Sequence, residues 1–177
     1  MDKKYGKSSW KVYFEGNFWG HHSREHAGKE IRINKEFDWA GYHWIVPAVY
    51  SCSKGLVIDF CMQVSVEKIR SFMEKWNLSL ENDSYENFTK EQQMKMEIEN
   101  PLCLDFRPCI ELNGNTLRMS HSCGVSFNPC LPKRSFHEPE TKEVMEYYGL
   151  DESCGWVIDR SAFCLLYTSD AADDSLR

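Results

Sequence analysis

Four cysteines are the residues most able to do chemistry in this chain. Ser51-Cys52 is followed by Cys61, and Ser122-Cys123 by Cys130. Four thiolates make a complete zinc site, so Cys52, Cys61, Cys123 and Cys130 are candidate metal ligands and zinc is the candidate cofactor. The spacings, eight and six intervening residues, are not those of a zinc ribbon. A continuous strand after a turn at Gly55 would carry Cys61 about 20 Å away at ~3.3 Å per residue. Cys52 and Cys61 then cannot meet, and only the pairings Cys52 with Cys130 and Cys61 with Cys123 would bring thiols together. The competing reading is packing, because cysteine behaves as a small hydrophobe and is among the most buried residues. Along Leu56 to Val64, the bulky Leu56, Ile58, Phe60 and Met62 share one face, and Cys61 lies on the other beside Asp59.

Two further patterns have catalytic precedents. His22-Ser-Arg-Glu25-His26 fits H-x-x-E-H, which on a helix sets two imidazoles one turn apart with a glutamate as general base. Glu97 or Glu99 could supply a further ligand. The surrounding Gly16, Gly20 and Gly28 and the lack of an apolar stripe favour a polar loop instead. Cys123 has His121 two residues away, and Cys52 has Lys54. A neighbouring cation lowers a thiol pKa and activates it, but no third, orienting group can be named. No glycine-rich phosphate loop, Walker pattern or paired-carboxylate site is present.

The elements that would hold these residues repeat. Residues 31–46 and 104–119 align without a gap at an offset of 73, matching Ile31, Ile33, Phe37, Trp39, Gly41, Trp44 and Val46 with Leu104, Phe106, Ile110, Leu112, Gly114, Leu117 and Met119. Apolar positions two apart on either side of a glycine turn describe a hairpin, and Asn113-Gly114 is the strongest short hairpin signal. Ala40-Gly41 is a weaker version of the same turn. With small gaps, Ser51-Cys52, Gly55 and Cys61 continue onto Ser122-Cys123, Gly124 and Cys130. A helix follows in each: Val66, Ile69, Met73 and Trp76 behind the N-cap Ser65, and Val144, Tyr147 and Tyr148 behind Pro139. Asn77 and Gly149 suit left-handed helix stops. The expected fold class is α+β, mainly an antiparallel sheet, built from two duplicated β-β-β-α units, residues 31–78 and 102–150.

Around the repeats, Trp10 to Phe14 reads as an opening strand within an N-terminal region of residues 1–30. Trp156 to Ile158 reads as a closing strand in residues 151–163. The linker, residues 79–101, carries a capping box, Thr89 with Gln92, which starts a short helix through Met94 and Ile98 that Asn100-Pro101 ends. The stretch Cys164 to Asp174 resembles the translation of a transposase sequencing adapter. Residues 164–177 are therefore set aside as not native, and the natural protein is expected to continue past Phe163. Residues 1–163 then make one domain with seven of the eight cysteines.

Composition narrows the function. The 177 residues are 42% apolar and 27% charged, the profile of an ordinary globular protein. The net charge of −6 speaks against nucleic acid as partner. The longest apolar run, Trp44 to Tyr50, is seven residues, too short to span a membrane. With no secretory leader visible and an odd cysteine count, a reducing, bacterial cytoplasm is expected. The aromatics Trp10, Phe14, Phe18, Trp19, Trp39, Tyr42, Trp44 and Tyr50 crowd the first third. Most are expected in the core. Phe18 and Trp19 lie outside the repeat and are the candidate partner surface. The sequence thus points to an intracellular binding protein for a protein or small-molecule ligand, without a catalytic residue to name. A thiolate zinc protein is the alternative, and a small hydrolase the third reading.

Overall fold

The computed structural model describes residues 10–21, 24–78, 87–131 and 138–165. In chain order the elements are β1 (Gly16–Asn17), β2 (Gly20–His21), β3 (Lys29–Trp39), β4 (Tyr42–Ser51), β5 (Gly55–Val64), α1 (Val66–Lys75), α2 (Lys90–Glu99), β6 (Ile110–Leu112), β7 (Asn115–Phe127), α3 (Pro139–Tyr148) and β8 (Gly155–Cys164). β1 and β2 form a small ribbon. The other strands make one curled, fully antiparallel sheet in the order β3-β4-β5-β8-β7-β6. The fold is mixed and sheet-dominated, as the sequence indicated.

Local signals placed the elements where they were expected. Ala40 and Gly41 have φ of 53° and 79°, and Asn113 and Gly114 have 52° and 79°, the doubly positive pair that a two-residue hairpin turn needs. Ser65 caps α1 by accepting from the Lys68 N–H, and Thr89 and Gln92 form the reciprocal capping box of α2. Asn77 at φ 49° and Gly149 at 65° end α1 and α3. Pro47 lies inside an interior strand, where its missing N–H would break a ladder. It sits where β4 shifts register against both neighbours, between Ile45 and Val49 on one side and opposite Arg32–Lys35 on the other.

The two halves differ beyond their hairpins, which corrects the expectation of a second β-β-β-α unit. Residues 102–150 hold two strands and a helix among the described residues, and the third strand, β8, comes after α3. Ser51 to Gly55 is the turn between β4 and β5, whereas Ser122 to Gly124 lies inside the thirteen-residue β7. A gapless apolar pattern cannot tell a turn from a strand that runs on through a small residue. The opening strand is likewise corrected. Trp10 to Tyr13 pairs with no strand among the described residues, and Val12 and Phe14 are buried against the face of the sheet rather than added to its edge.

β5 and β8 form the middle of the sheet and are covered on both sides, which is why both read as nearly continuous apolar runs. On one face Ile58, Phe60, Met62, Val157 and Phe163 pack with Trp44, Leu117 and Ile69 of α1. On the other, Cys61, Ile158 and Trp156 pack with Val144 and Met145 of α3, beside Val57, Ala162 and the N-terminal Val12 and Phe14. Gly55 admits no side chain, since a Cβ there would lie 1.9 Å from the Phe163 carbonyl oxygen.

Candidate interaction surface

Among the described residues β3 is the end strand of the sheet, bonded on one side to β4. Its sequence alternates apolar and polar residues, so its apolar side chains share a face. In an interior strand they would be covered, but at the edge they remain open. Trp39 is 57% exposed, and Ile31, Ile33 and Phe37 are exposed as well. The patch grows out of the core: Phe37 stacks on the buried Trp44 with ring centroids 6.2 Å apart, and Phe106 bridges Trp44 and Trp39 at 4.9 and 6.4 Å. The other face of the strand end is acidic. Asp38 and Glu36 flank His43, whose Nδ1 lies 2.9 Å from Asp38 and Nε2 3.5 Å from Glu36. A bulge at Asn34, φ 45°, divides the strand into two pairing segments.

A buried polar network holds the opposite face of the sheet together. The Arg160 guanidinium donates from Nε and Nη2 to the two oxygens of Asp59, each at 2.7 Å. Tyr148 O–H donates to Asp59 at 2.6 Å, so Tyr148 accepts from the Tyr50 hydroxyl at 2.7 Å, which in turn accepts from the Trp10 indole at 2.8 Å. Glu30 of β3 extends the network, accepting from Tyr147 O–H and paired with Arg32, both at 2.6 Å. Burial and the charge of Asp59 push the Tyr148 hydroxyl far up, and burial also raises Tyr50. Burial works against the Arg160 charge, but Asp59 outweighs it and holds the guanidinium firmly protonated. Both Asp59 oxygens are engaged by Arg160, and one also by Tyr148, so this carboxylate is committed to structure. The network ties the N-terminal segment and α3 to four strands.

The cysteines are dispersed. Cys52 is in the β4–β5 turn. Cys61 is fully buried under α3, and Cys123 stands opposite Arg160 on β7. Cys130 follows β7 and packs against the core on the α1 side. Among the described residues no three His, Cys, Asp or Glu side chains come together as a metal site. Burial pushes the Cys52 thiol up to about 11, raises Cys123, and holds Cys61 well above the ordinary range. These are protonated packing thiols, the opposite of activated nucleophiles. Lys54, the cation expected to act on Cys52, pairs with Glu15.

Within H-x-x-E-H, Arg24 to His26 is irregular chain, and His22 lies outside the described residues, as do 166–177 of the tail. Cys164, the first residue set aside, closes β8 opposite Gly55. Phe18 covers the Arg160 guanidinium at 4.3 Å. Trp19 is half exposed, and its indole donates to Glu138 at 3.1 Å.

Arg160 and Tyr148 escaped sequence reasoning, and so did the exposure of Trp39. One signal for the first was present. Gly55-Leu-Val-Ile-Asp59 and Gly155-Trp-Val-Ile-Asp159 are two copies of Gly-x-Val-Ile-Asp, and they open the two strands that pair at the centre. No family model matches this chain, and no curated protein or solved structure matches it either.

Proposed function

We propose that the protein acts by binding, and that its partner is an extended protein segment that adds to the free edge of β3. The observation that carries this reading is a long edge strand with Ile31, Ile33, Phe37 and Trp39 exposed along it. An edge strand offers unpaired N–H and C=O groups, and strand addition uses them for affinity and alternate side chains for specificity. The chemistry of the edge specifies the partner. Positions beside Phe37 and Trp39 should be apolar, and those beside Glu36 and Asp38 basic. Full burial of one such large apolar side chain contributes roughly 1.5–3 kcal/mol, so a few half-covered residues suffice for a reversible complex. The seven free cysteines of residues 1–163 support a reducing, cytoplasmic setting.

The test is selection of random peptides displayed on phage against the purified full chain. Enrichment of alternating apolar and basic peptides is expected, with binding lost in a Phe37→Ser/Trp39→Ser variant. Peptides that bind the variant equally, or no enrichment, would refute strand addition. A concentration-dependent mass abolished by the same variant would replace the partner segment with a second copy of the chain.

A further inference from the structure

We propose that the groove between α1 and residues 98–104 binds a small amphipathic carboxylate, an aliphatic or aryl acid whose charge meets Lys68. The groove is an open trough of about 710 Å³ on the α1 side of the sheet, and its Tyr42 pairs in register with Trp39 at the near end of the β3 edge patch. That volume falls in the range of sites for drug-sized ligands. Its construction follows from helix periodicity. Lys68, Ser71, Phe72 and Lys75 fall three and four residues apart and so share one face of α1. Met62 and Tyr42 form the floor, and Leu104 and Ile98 the facing wall.

The two ends of the groove differ in charge. At one end Lys75 pairs with Glu99 at 2.7 Å, and the Trp76 indole donates to the same carboxylate at 3.0 Å, so this end is closed by groups that satisfy one another. At the other end the Lys68 ammonium lies 4.0 Å over the Tyr42 ring, with no carboxylate paired to it among the described residues. Glu67 also lines the groove and lies in the first turn of α1, where the helix dipole favours its negative charge. The first turn adds its own partial positive charge at that end. Ile98, on the rim, is 82% exposed, the most exposed large apolar side chain among the described residues. An apolar body would cover Ile98, Phe72 and Leu104 while its carboxylate replaces water at Lys68. A cation would meet Lys68 unfavourably, and a neutral molecule would gain nothing from the ammonium.

Isothermal titration calorimetry of the full chain with decanoate, below its micelle concentration, tests this. One decanoate per chain is expected, with decyltrimethylammonium failing to bind. Lys68→Met keeps the stem and removes the charge, and should weaken decanoate by about ten-fold or more while leaving 1-decanol affinity unchanged. Ser71→Phe should fill the groove and abolish both. Lys68 and Ser71 are exposed, so unchanged thermal unfolding is expected and separates loss of the site from loss of the fold. No decanoate binding up to about 1 mM, several molecules per chain, or binding indifferent to both substitutions would overturn the proposal. An Ile31→Ser/Ile33→Ser variant, altered at the far end of the β3 edge, should bind decanoate normally, which keeps this site distinct from that edge.

Discussion

Asp59 and Asp159 close the same five-residue pattern on the two central strands, yet they face opposite sides of the sheet. The pairing puts Asp59 opposite Arg160 and Asp159 opposite Phe60. A displacement of one residue in an antiparallel ladder reverses every side chain. Asp59 therefore meets a guanidinium and two tyrosines. Asp159 meets the aromatic side, where its oxygen accepts from Ser161 Oγ at 2.5 Å and burial pushes its carboxyl up to about 6. Identical local sequence gave one aspartate that organises the fold and one that the fold carries at a cost. Register made the difference.

Three substitutions would break or sharpen that contrast. The largest effect is expected for Asp59→Ala. It leaves Arg160 buried without its counter-charge and should cost about 3–5 kcal/mol, read as a fall in the urea midpoint. The double variant Asp59→Leu/Arg160→Met should recover much of that, because it removes both buried charges. Equal loss in the two variants would mean that the pair contributes packing rather than charge compensation.

Asp159→Asn should act in the other direction. The folded pKa of Asp159, about 6, lies above the ordinary aspartate value of about 3.9. The folded chain thus holds a proton that the unfolded chain has released, and stability falls as pH rises from about 4 to about 6. The difference amounts to up to about 3 kcal/mol. Asparagine should flatten that slope and raise stability at neutral pH, measured by urea unfolding at both ends of the window. An unchanged slope would show that Asp159 is solvated.

Tyr148→Phe comes next, at about 2 kcal/mol, since it removes a hydrogen bond to a charged acceptor and the one accepted from Tyr50 but leaves the Arg160 pair in place. Thermal unfolding monitored by near-ultraviolet circular dichroism would report it. A loss as large as that of Asp59→Ala would show that the tyrosine, not the arginine, carries the network.

What could be read from the sequence divides by range. Turns and caps are set within four or five residues, so Ala40-Gly41, Asn113-Gly114, Ser65, Thr89 and Gly149 announced themselves. The face alternation of β5 was also legible, including Asp59 and Cys61 on the side away from Phe60. The Asp59–Arg160 pair joins residues 101 apart, and nothing local specifies it. Trp39 was expected in the core with Trp44 because both fit the apolar pattern. Only strand order distinguishes them, since β3 ends the sheet and β4 does not. Phe18 illustrates the converse: a residue outside any repeat is half covered because it shields a buried cation. The cysteine pattern misled for a related reason. Equivalent places in a sequence alignment were taken as equivalent places in space, and the turn at Cys52 and the strand at Cys123 are not.

The position of β8 also shapes how the chain reaches this fold. Among the described residues the central β8 is the last strand in chain order; its neighbour β5 is made long before it, and β7 precedes it by one helix. Until residues 155–164 are synthesised, β5 presents an open apolar edge and the two hairpins have no strand to join them. The β5–β8 contacts join residues as far apart as Asp59 and Arg160, so loop closure must be paid before they can form, and such topologies fold slowly. On the ribosome, β3, β4 and β5 would wait with an unpaired edge, the state in which a growing chain is most open to wrong pairing and to chaperone capture.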